Sequence, residues 1–303
     1  MKHQIYSKIH KIPSGIAAEK YTKGCLVLEG GAFRGLYNQG ALDALMQNDI
    51  NLSCVIGVSA GALAGMNYVS GQIGRSARAN LGYRHDGNYI GVKAIKKSHS
   101  VIRLDFLLQD FNAREIINEA RFNNPAQRYI AVATNCETGE TAYFEKGRCQ
   151  DIFSAIKASA SMPYVSPAVM VEGVPYLDGG CSCKIPYKWA VEEGYEKILV
   201  IRTREEAFRK KLKPSSMAKK VYGKYPEFAI RLDNSDAAYN RQCDEIDRLK
   251  EEGRLFVMAP SKPVTVGRVE SDMEKLGELY WLGYEDTLKR LPEIKAYLDI
   301  DEA

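Results

Sequence analysis

Histidine is scarce in this chain. There are four, His3, His10, His85 and His99, and none follows residue 99. Any catalytic plan that needs an imidazole late in the sequence is excluded. Cysteine is present but unorganised: seven residues, an odd number, run from Cys25 to Cys243 with no C-x-x-C pair. Such spacing argues against structural zinc and against a disulfide framework, and reads as reduced thiols in a cytoplasmic protein. No run of about 18 apolar residues occurs, so no membrane-spanning helix is expected. The opening MKHQIYSKIHKIPSG is basic but lacks the apolar stretch of a signal peptide. Charge of one sign is also missing. The 42 Lys and Arg against 38 Asp and Glu leave a formal +4. That permits an anionic surface as partner but gives no nucleic-acid footprint. No EF-hand loop and no clustered metal ligands are found, so neither metal nor cofactor is expected.

What remains is the composition of an ordinary globular protein, 45% hydrophobic and 26% charged over 303 residues. That length fits one large α/β domain or two modest ones. CLVLEGG reads as a buried strand stopping at Gly30, followed by a helix with Leu36, Gly40, Ala41, Ala44 and Leu45 on one face. SCVIGV is a second strand, and a helix follows from Ser59. RYIAVATN and TAYFE read as strands around a CETGE turn. DIFSAIKASASM reads as a helix ending at Pro163, AVMVEGVPYLDGG as a hairpin through Glu172-Gly173, and KILVIRT and RLFVMAP as strands. The tail 270–303 is expected to be helical. Strands alternating with helices predict an α/β sheet covered on both faces. The two strand–glycine–helix units, 25–48 and 53–71, place Gly30–Gly35 and Gly57–Gly61 beyond strand carboxyl ends, where such sheets bind ligands.

Three motifs carry chemistry. GVSAG, Gly57 to Gly61, is a G-x-S-x-G pattern between a strand and a helix. Small residues there allow a tight turn that presents Ser59 at a helix N-terminus, where the dipole favours developing negative charge. The same residues also read as a serine cap on a close-packed helix. EGGAFRG, Glu29 to Gly35, departs from G-x-G-x-x-G at Ala32 and lacks the Lys-Ser/Thr of a P-loop. It is left as a nest of backbone N–H groups beside Arg34, suited to a phosphate or to the oxyanion of an ester intermediate. YLDGG sets Asp178 between a strand end and two glycines, as a turn residue or as an approachable carboxylate.

Histidine decides among mechanisms. The order Ser, acid, His would need an imidazole beyond Asp178, and none exists. The order Asp, His, Ser would leave only His3 and His10, both in the N-terminal arm. If Ser59 is a nucleophile, a carboxylate must be its base, and Asp178 is the best-placed candidate. A desolvated pocket would raise that aspartate from about 4 toward a more useful basicity.

The glycine-rich loop, G-x-S-x-G and D-G-G in this order, with no later histidine, resemble the patatin-like phospholipase family. The stretch ASASMPYVSPAVMVEGVPYLDGG is similar to that family's approach to its aspartate, and LGELYWLGYED is similar to a tail found in bacterial members. The resemblance covers about residues 24–202 well. It implies a three-layer α/β/α fold with a mostly parallel central sheet and hydrolysis of lipid acyl esters. It implies Ser59 as nucleophile and Asp178 as general base, with Gly57 and Gly61 shaping the elbow. Gly30, Gly31 and Ala32 would donate to the oxyanion, with Ala60 beside them and Arg34 as the loop's basic residue. The family's third glycine is Ala32 here, and the change is expected to be benign because positive φ is not expected at that position.

The expected organisation is an arm at 1–23, a catalytic core at 24–202, and a mostly helical extension with one further strand at 203–303, packed on the core. An acyltransferase with the same dyad, or a non-catalytic anion-binding module using the loop, also fits these residues. The run 208–224 carries seven basic residues and no acid. It reads either as a solvated face or as a peripheral contact with anionic membrane. Residues 82–111 read as a lid, an acyl-chain wall or core.

Overall fold

The computed structural model describes residues 4–212 and 217–300; residues 1–3 of the arm, with His3, 213–216 of the basic run and 301–303 of the tail lie outside them. In chain order the principal elements are β1 (Gly15–Ile16), β2 (Thr22–Leu28), α1 (Leu36–Gln47), β3 (Leu52–Val58), α2 (Ala60–Val69), β4 (Gln72–Ile73) and α3 (Arg75–Tyr83). They continue with β5 (Arg128–Asn135), β6 (Thr141–Glu145), β7 (Val169–Val171), β8 (Val174–Asp178), β9 (Ile198–Ile201) and β10 (Phe256–Met258). β1 and β4 form a small antiparallel ribbon, and the other eight strands form one sheet ordered β10-β9-β2-β3-β5-β8-β7, with β6 also on β5. The run from β10 to β5 is parallel; β6 and β8 join β5 antiparallel, and β7 joins β8 antiparallel.

Alternation along the strands builds three layers. Leu26 and Leu28 of β2 pack on the side of α1, α2 and the helix Met273–Lys289. Cys25 and Val27 point the other way, toward Tyr187, Ala190, Tyr239, Cys243 and Ile246 on the helices Tyr187–Glu192 and Ser235–Glu251. Strands covered on both faces cannot alternate in polarity, which is why they read as continuous apolar runs. The Glu172-Gly173 hairpin lies between β7 and β8 as expected. The helix Ile152–Ser159 stops short of Pro163. The tail contains the helices Met273–Lys289 and Leu291–Tyr297.

One feature differs from the sequence pattern. The amphipathic face expected for α1 is absent, because Leu36 to Met46 are all buried. The helix Met273–Lys289 covers the side that would otherwise meet water. The N-terminal arm is packed on the fold. Tyr6, Ile12 and Ala17 are buried, and the Tyr6 N–H donates to the Leu81 carbonyl at 3.1 Å.

Candidate active site

The elbow at Ser59 is built from the absence of side chains. A Cβ on Gly57 would lie 2.6 Å from the Gly61 backbone, and one on Gly61 would lie 2.5 Å from the Leu28 carbonyl oxygen. The first turn of α2 therefore rests directly on the sheet. The chain turns through Ser59 at φ 56° and ψ −122°. Backbone held in such a region costs about 1–3 kcal/mol and persists only where its surroundings impose it. Its N–H donates to Ser159 Oγ at 2.9 Å, and its carbonyl accepts from Leu63 N at 3.1 Å. The Ser59 side chain makes no capping bond to the helix. The capping alternative is thereby set aside, and the hydroxyl is left within hydrogen-bonding reach of the Asp178 carboxyl.

Sheet register brings those two residues together. β3 and β6 pair with an overlapping stretch of β5, so they occupy its opposite edges. β8 overlaps β6 in the same way and must lie on the β3 edge. β3 ends with Val58 opposite Val132; β8 arrives from the other direction and ends with Asp178 opposite Ala133. Two strands thus meet head to head on adjacent residues of β5, and Ser59 and Asp178 occupy the junction. Asp178 is fixed from three sides. Its N–H donates to the Ser161 carbonyl at 2.8 Å, its carbonyl accepts from Thr134 Oγ1 at 2.9 Å, and its carboxylate accepts from Gly180 N at 2.7 Å. Burial raises its pKa above the usual carboxylate range; the Ser59 hydroxyl and Gly180 N–H, then Arg268 and Lys184, oppose that rise.

The glycine-rich loop faces the same junction. A Cβ on Gly30 would come within 3.1 Å of Ser59 Cβ, so this glycine is needed for close approach. As a donor it departs from expectation, because its N–H is directed to the Lys184 carbonyl at 3.4 Å. The N–H groups of Gly31, Ala32 and Ala60 have no protein acceptor among the described residues. The expectation for Ala32 is overturned: it sits at φ 49°, inside the left-handed region. An alanine there is strained by about 1 kcal/mol or more relative to glycine. Ala32→Gly is accordingly expected to stabilise the protein by about 1 kcal/mol in chemical denaturation. A loss of stability would mean that the methyl group's packing outweighs the backbone strain.

An apolar cavity of about 50 Å³ opens between the loop and the elbow, lined by Ala32, Ser59 and Ala60 and walled by Leu63, Tyr89, Ile102, Leu104 and Met162, among others. Among the described residues no charged side chain lines it. Residues 82–111 thus supply pocket wall through Tyr89, Ile102 and Leu104, and core through Phe106 and Phe111. His85 does not line the cavity; its Nε2 lies 2.9 Å from the Ser271 carbonyl. His99 is exposed.

Several residues at the site carry no sequence signal. Glu29 is buried and accepts the Thr203 N–H, while Thr203 Oγ1 donates to the Gly30 carbonyl at 3.1 Å. Asn38 donates to the Glu29 carbonyl at 2.9 Å. Ser159, the acceptor for Ser59 N–H, lay in a segment read only as helix. The Arg34 guanidinium makes no hydrogen bond among the described residues, and its Nε is buried without a partner. Burial, with Arg204 and Arg268 close by, pulls its pKa down to about 10. Among the described residues no group of His, Cys, Asp and Glu is arranged to hold a metal ion.

The chain is 28% identical over 183 residues to the uncharacterized protein YjjU of Escherichia coli, covering 59% of this chain and 51% of that one. It is 24% identical over 168 residues to the uncharacterized NTE family protein Rv1063c of Mycobacterium tuberculosis, covering 53% and 43%. These matches span about half the length of those curated relatives. The crystal structure of VipD from Legionella pneumophila superposes with a TM-score of 0.49 at 14% identity, covering 97% of this chain and 71% of that chain. Residues 225–299 match a domain of unknown function, DUF6363. Residues 26–191, which hold the loop, the elbow and the aspartate, match the model of the patatin-like phospholipases, and the chain belongs to that family.

Proposed function

We propose that the protein is a serine acyl hydrolase that cleaves carboxylic esters of lipids through a Ser59–Asp178 dyad. The observation that carries this reading is the head-to-head junction of β3 and β8 on β5, which sets the Ser59 hydroxyl against a buried carboxylate. Asp178 accepts the hydroxyl proton as Ser59 Oγ attacks the ester carbonyl carbon. The oxyanion is met by the N–H groups of Gly31, Ala32 and Ala60, beside the N-terminus of α2. Collapse of the intermediate releases the alcohol, which takes the proton from Asp178 and leaves the acyl group on Ser59. Water then attacks, with Asp178 again the base, and the fatty acid departs. The charge-free cavity beside Ser59 is suited to the acyl chain. The direct test is labelling with a fluorophosphonate followed by peptide mapping. A single adduct on Ser59 is expected; an unmodified Ser59 would overturn the reading.

The helix Val92–Ser98, between the pocket-wall residues Tyr89 and Ile102 in sequence, fits a peripheral contact with anionic membrane. On the helix Val92–Ser98, Val92 is 69% and Ile95 44% exposed, with Lys93, Lys96 and Lys97 beside them and only Ala94 buried. Val101, just beyond this helix, donates to the Val165 carbonyl at 3.0 Å, and Tyr164 N–H donates to Tyr222 OH at 2.6 Å. Those contacts join the helix to the basic run. Within that run Arg209 is paired with Asp244 and Asp247, and Lys210 with Asp236, so they are occupied. Lys219, Lys220 and Lys224 remain exposed. Exposed apolar groups interleaved with lysines bind a bilayer through burial and surface charge together. Val92→Glu combined with Ile95→Glu is expected to cut turnover of anionic vesicles about tenfold, while turnover of a soluble ester is retained. Equal loss on both substrates would count against the contact.

A further inference from the structure

The acyl side of the site is apolar, whereas the opposite side of the glycine-rich loop is ringed by cations. Lys184 accepts the Gly30 N–H through its carbonyl. Thr203, which donates to the Gly30 carbonyl, is followed by Arg204. Arg268 accepts the Phe33 N–H at 3.5 Å through its carbonyl. Arg34 belongs to the loop itself, its Cβ 3.3 Å from where a Gly31 Cβ would be. Backbone contacts to one short loop therefore bring four basic residues to it; burial, then Arg204 and Arg268, lower the pKa of Arg34, and burial, then Arg268 and Arg34, act in the same direction on Lys210.

Of the carboxylates nearby, Asp178 feels Arg268 and Lys184 but is held by Gly180 N and reserved for the catalytic step, and the others are occupied. Asp236 pairs with Lys210 at 2.5 Å and lies 3.7 Å from Lys184, whose ammonium also reaches the Ser235 carbonyl at 3.0 Å. Glu29 is engaged by Thr203 N, and Glu205 by Val264 N at 3.5 Å. That leaves three guanidinium groups. Arg204 donates only to the Val264 carbonyl, and the guanidinium groups of Arg34 and Arg268 have no hydrogen-bond or ion-pair partner among the described residues. The aromatic faces that could receive an alkylammonium are also taken, Phe33 by Arg84 at 5.1 Å and Phe208 by Arg204 at 4.7 Å. Unpaired like charges held together are costly unless an anion joins them, and guanidinium forks match phosphate oxygens.

We infer that Arg34, Arg204 and Arg268 form a head-group subsite that selects lipids with a net anionic, phosphate-bearing head group over zwitterionic or uncharged ones. This rests on the acyl-hydrolase reading for its catalytic consequence. The ester carbonyl sits at Ser59, the acyl chain enters the apolar cavity, and the phosphate of the departing alcohol lies against the guanidinium groups. A choline or ethanolamine ammonium would meet cations there, and among the described residues the carboxylates named beside them, apart from the catalytic Asp178, are already engaged.

The test uses dihexanoyl-phosphatidylglycerol and dihexanoyl-phosphatidylcholine, both monomeric in solution, with p-nitrophenyl hexanoate as a reference ester. The wild-type kcat/KM is expected to be tenfold or more higher on the glycerol lipid. In the double variant Arg204→Gln, Arg268→Gln that ratio should fall toward one. A wild-type ratio near one, or a ratio the double variant leaves intact, overturns the subsite. A protein that turns over none of the three esters rejects the hydrolase reading instead. The subsite is then judged by calorimetric titration of the Ser59→Ala protein with dihexanoyl-phosphatidylglycerol and, separately, with inorganic phosphate. Saturable lipid binding, weakened tenfold or more by the double variant, supports it. Binding of phosphate without the lipid, or of neither, overturns it.

Discussion

Ser59→Ala and Asp178→Asn are each expected to lower kcat/KM on a short p-nitrophenyl ester by about 10⁴-fold, the scale seen when one member of a nucleophile–base unit is removed. The two losses should not add, because neither group works without the other. Both proteins should stay folded. Alanine keeps the backbone of Ser59 and deletes a hydroxyl that caps nothing. For Asp178 the sign is more informative. Burial raises its folded-state pKa above the unfolded value. The native state therefore holds the proton more tightly than the unfolded chain. Its contribution to stability is full below the ordinary carboxylate range and is lost as pH rises through the raised value. An ionised Asp178 is a cost to the native state, and asparagine removes it. Asp178→Asn should thus melt at or above the wild-type temperature at pH 7 while being inactive. Activity runs the other way, because the base must be ionised. The acid limb of kcat/KM should titrate above the usual aspartate value of about 4. An acid limb at or below that value, or substantial activity in purified Ser59→Ala, would remove Asp178 and Ser59 from these roles.

The elbow and the aspartate were legible because their chemistry is local. Gly57, Ser59 and Gly61 fall within five residues, and small size at those positions has few explanations besides a tight turn. Buried parallel strands were legible for a similar reason, since both faces demand apolar residues. What brings Ser59 and Asp178 together was not. Their meeting depends on where β3 stops along β5 and where β8 takes over, a register no pattern within either strand records. The basic groups round the loop come from positions 34, 184, 204 and 268. Only Arg34 lies in a motif, and the others become neighbours through carbonyl contacts and strand order. The backbone at Ala32 was misjudged for a different reason: a methyl group at that position disfavours positive φ, but the surrounding loop overrides the preference. Pocket walls from residues 82–111 carried only an apolar composition, which cannot distinguish cavity lining from core.

The second large effect lies away from the chemistry, where α1 meets the helix Met273–Lys289. A Cβ on Gly40 would lie 1.9 Å from the Tyr280 carbonyl oxygen, and one on Gly283 would lie 2.1 Å from the Tyr37 carbonyl oxygen. Each glycine faces the other helix's backbone, so the contact is reciprocal and no flexible side chain can yield. Buried hydrogen bonds pin the same seam: Tyr37 OH donates to Asp286 at 3.2 Å and Tyr280 OH to Asp43 at 2.7 Å. Gly40→Ala or Gly283→Ala must push the helices apart, and each is expected to cost about 3 kcal/mol or more, the upper range for overpacking. Gly87→Ala, whose Cβ would meet Lys93 at an ordinary 3.4 Å, serves as control and should stay within about 0.5 kcal/mol of wild type. Because α1 begins where the Ala32–Gly35 turn ends, a displaced α1 also shifts the Gly31 and Ala32 donors. Both variants should therefore lose kcat/KM at temperatures where they remain folded. Since the seam ties residues 273–289 to the first helix of the catalytic fold, the wild-type protein should unfold in one transition. Two separate transitions, or a Gly283→Ala protein as stable and active as wild type, would show that the C-terminal helices contribute nothing to holding the loop in place.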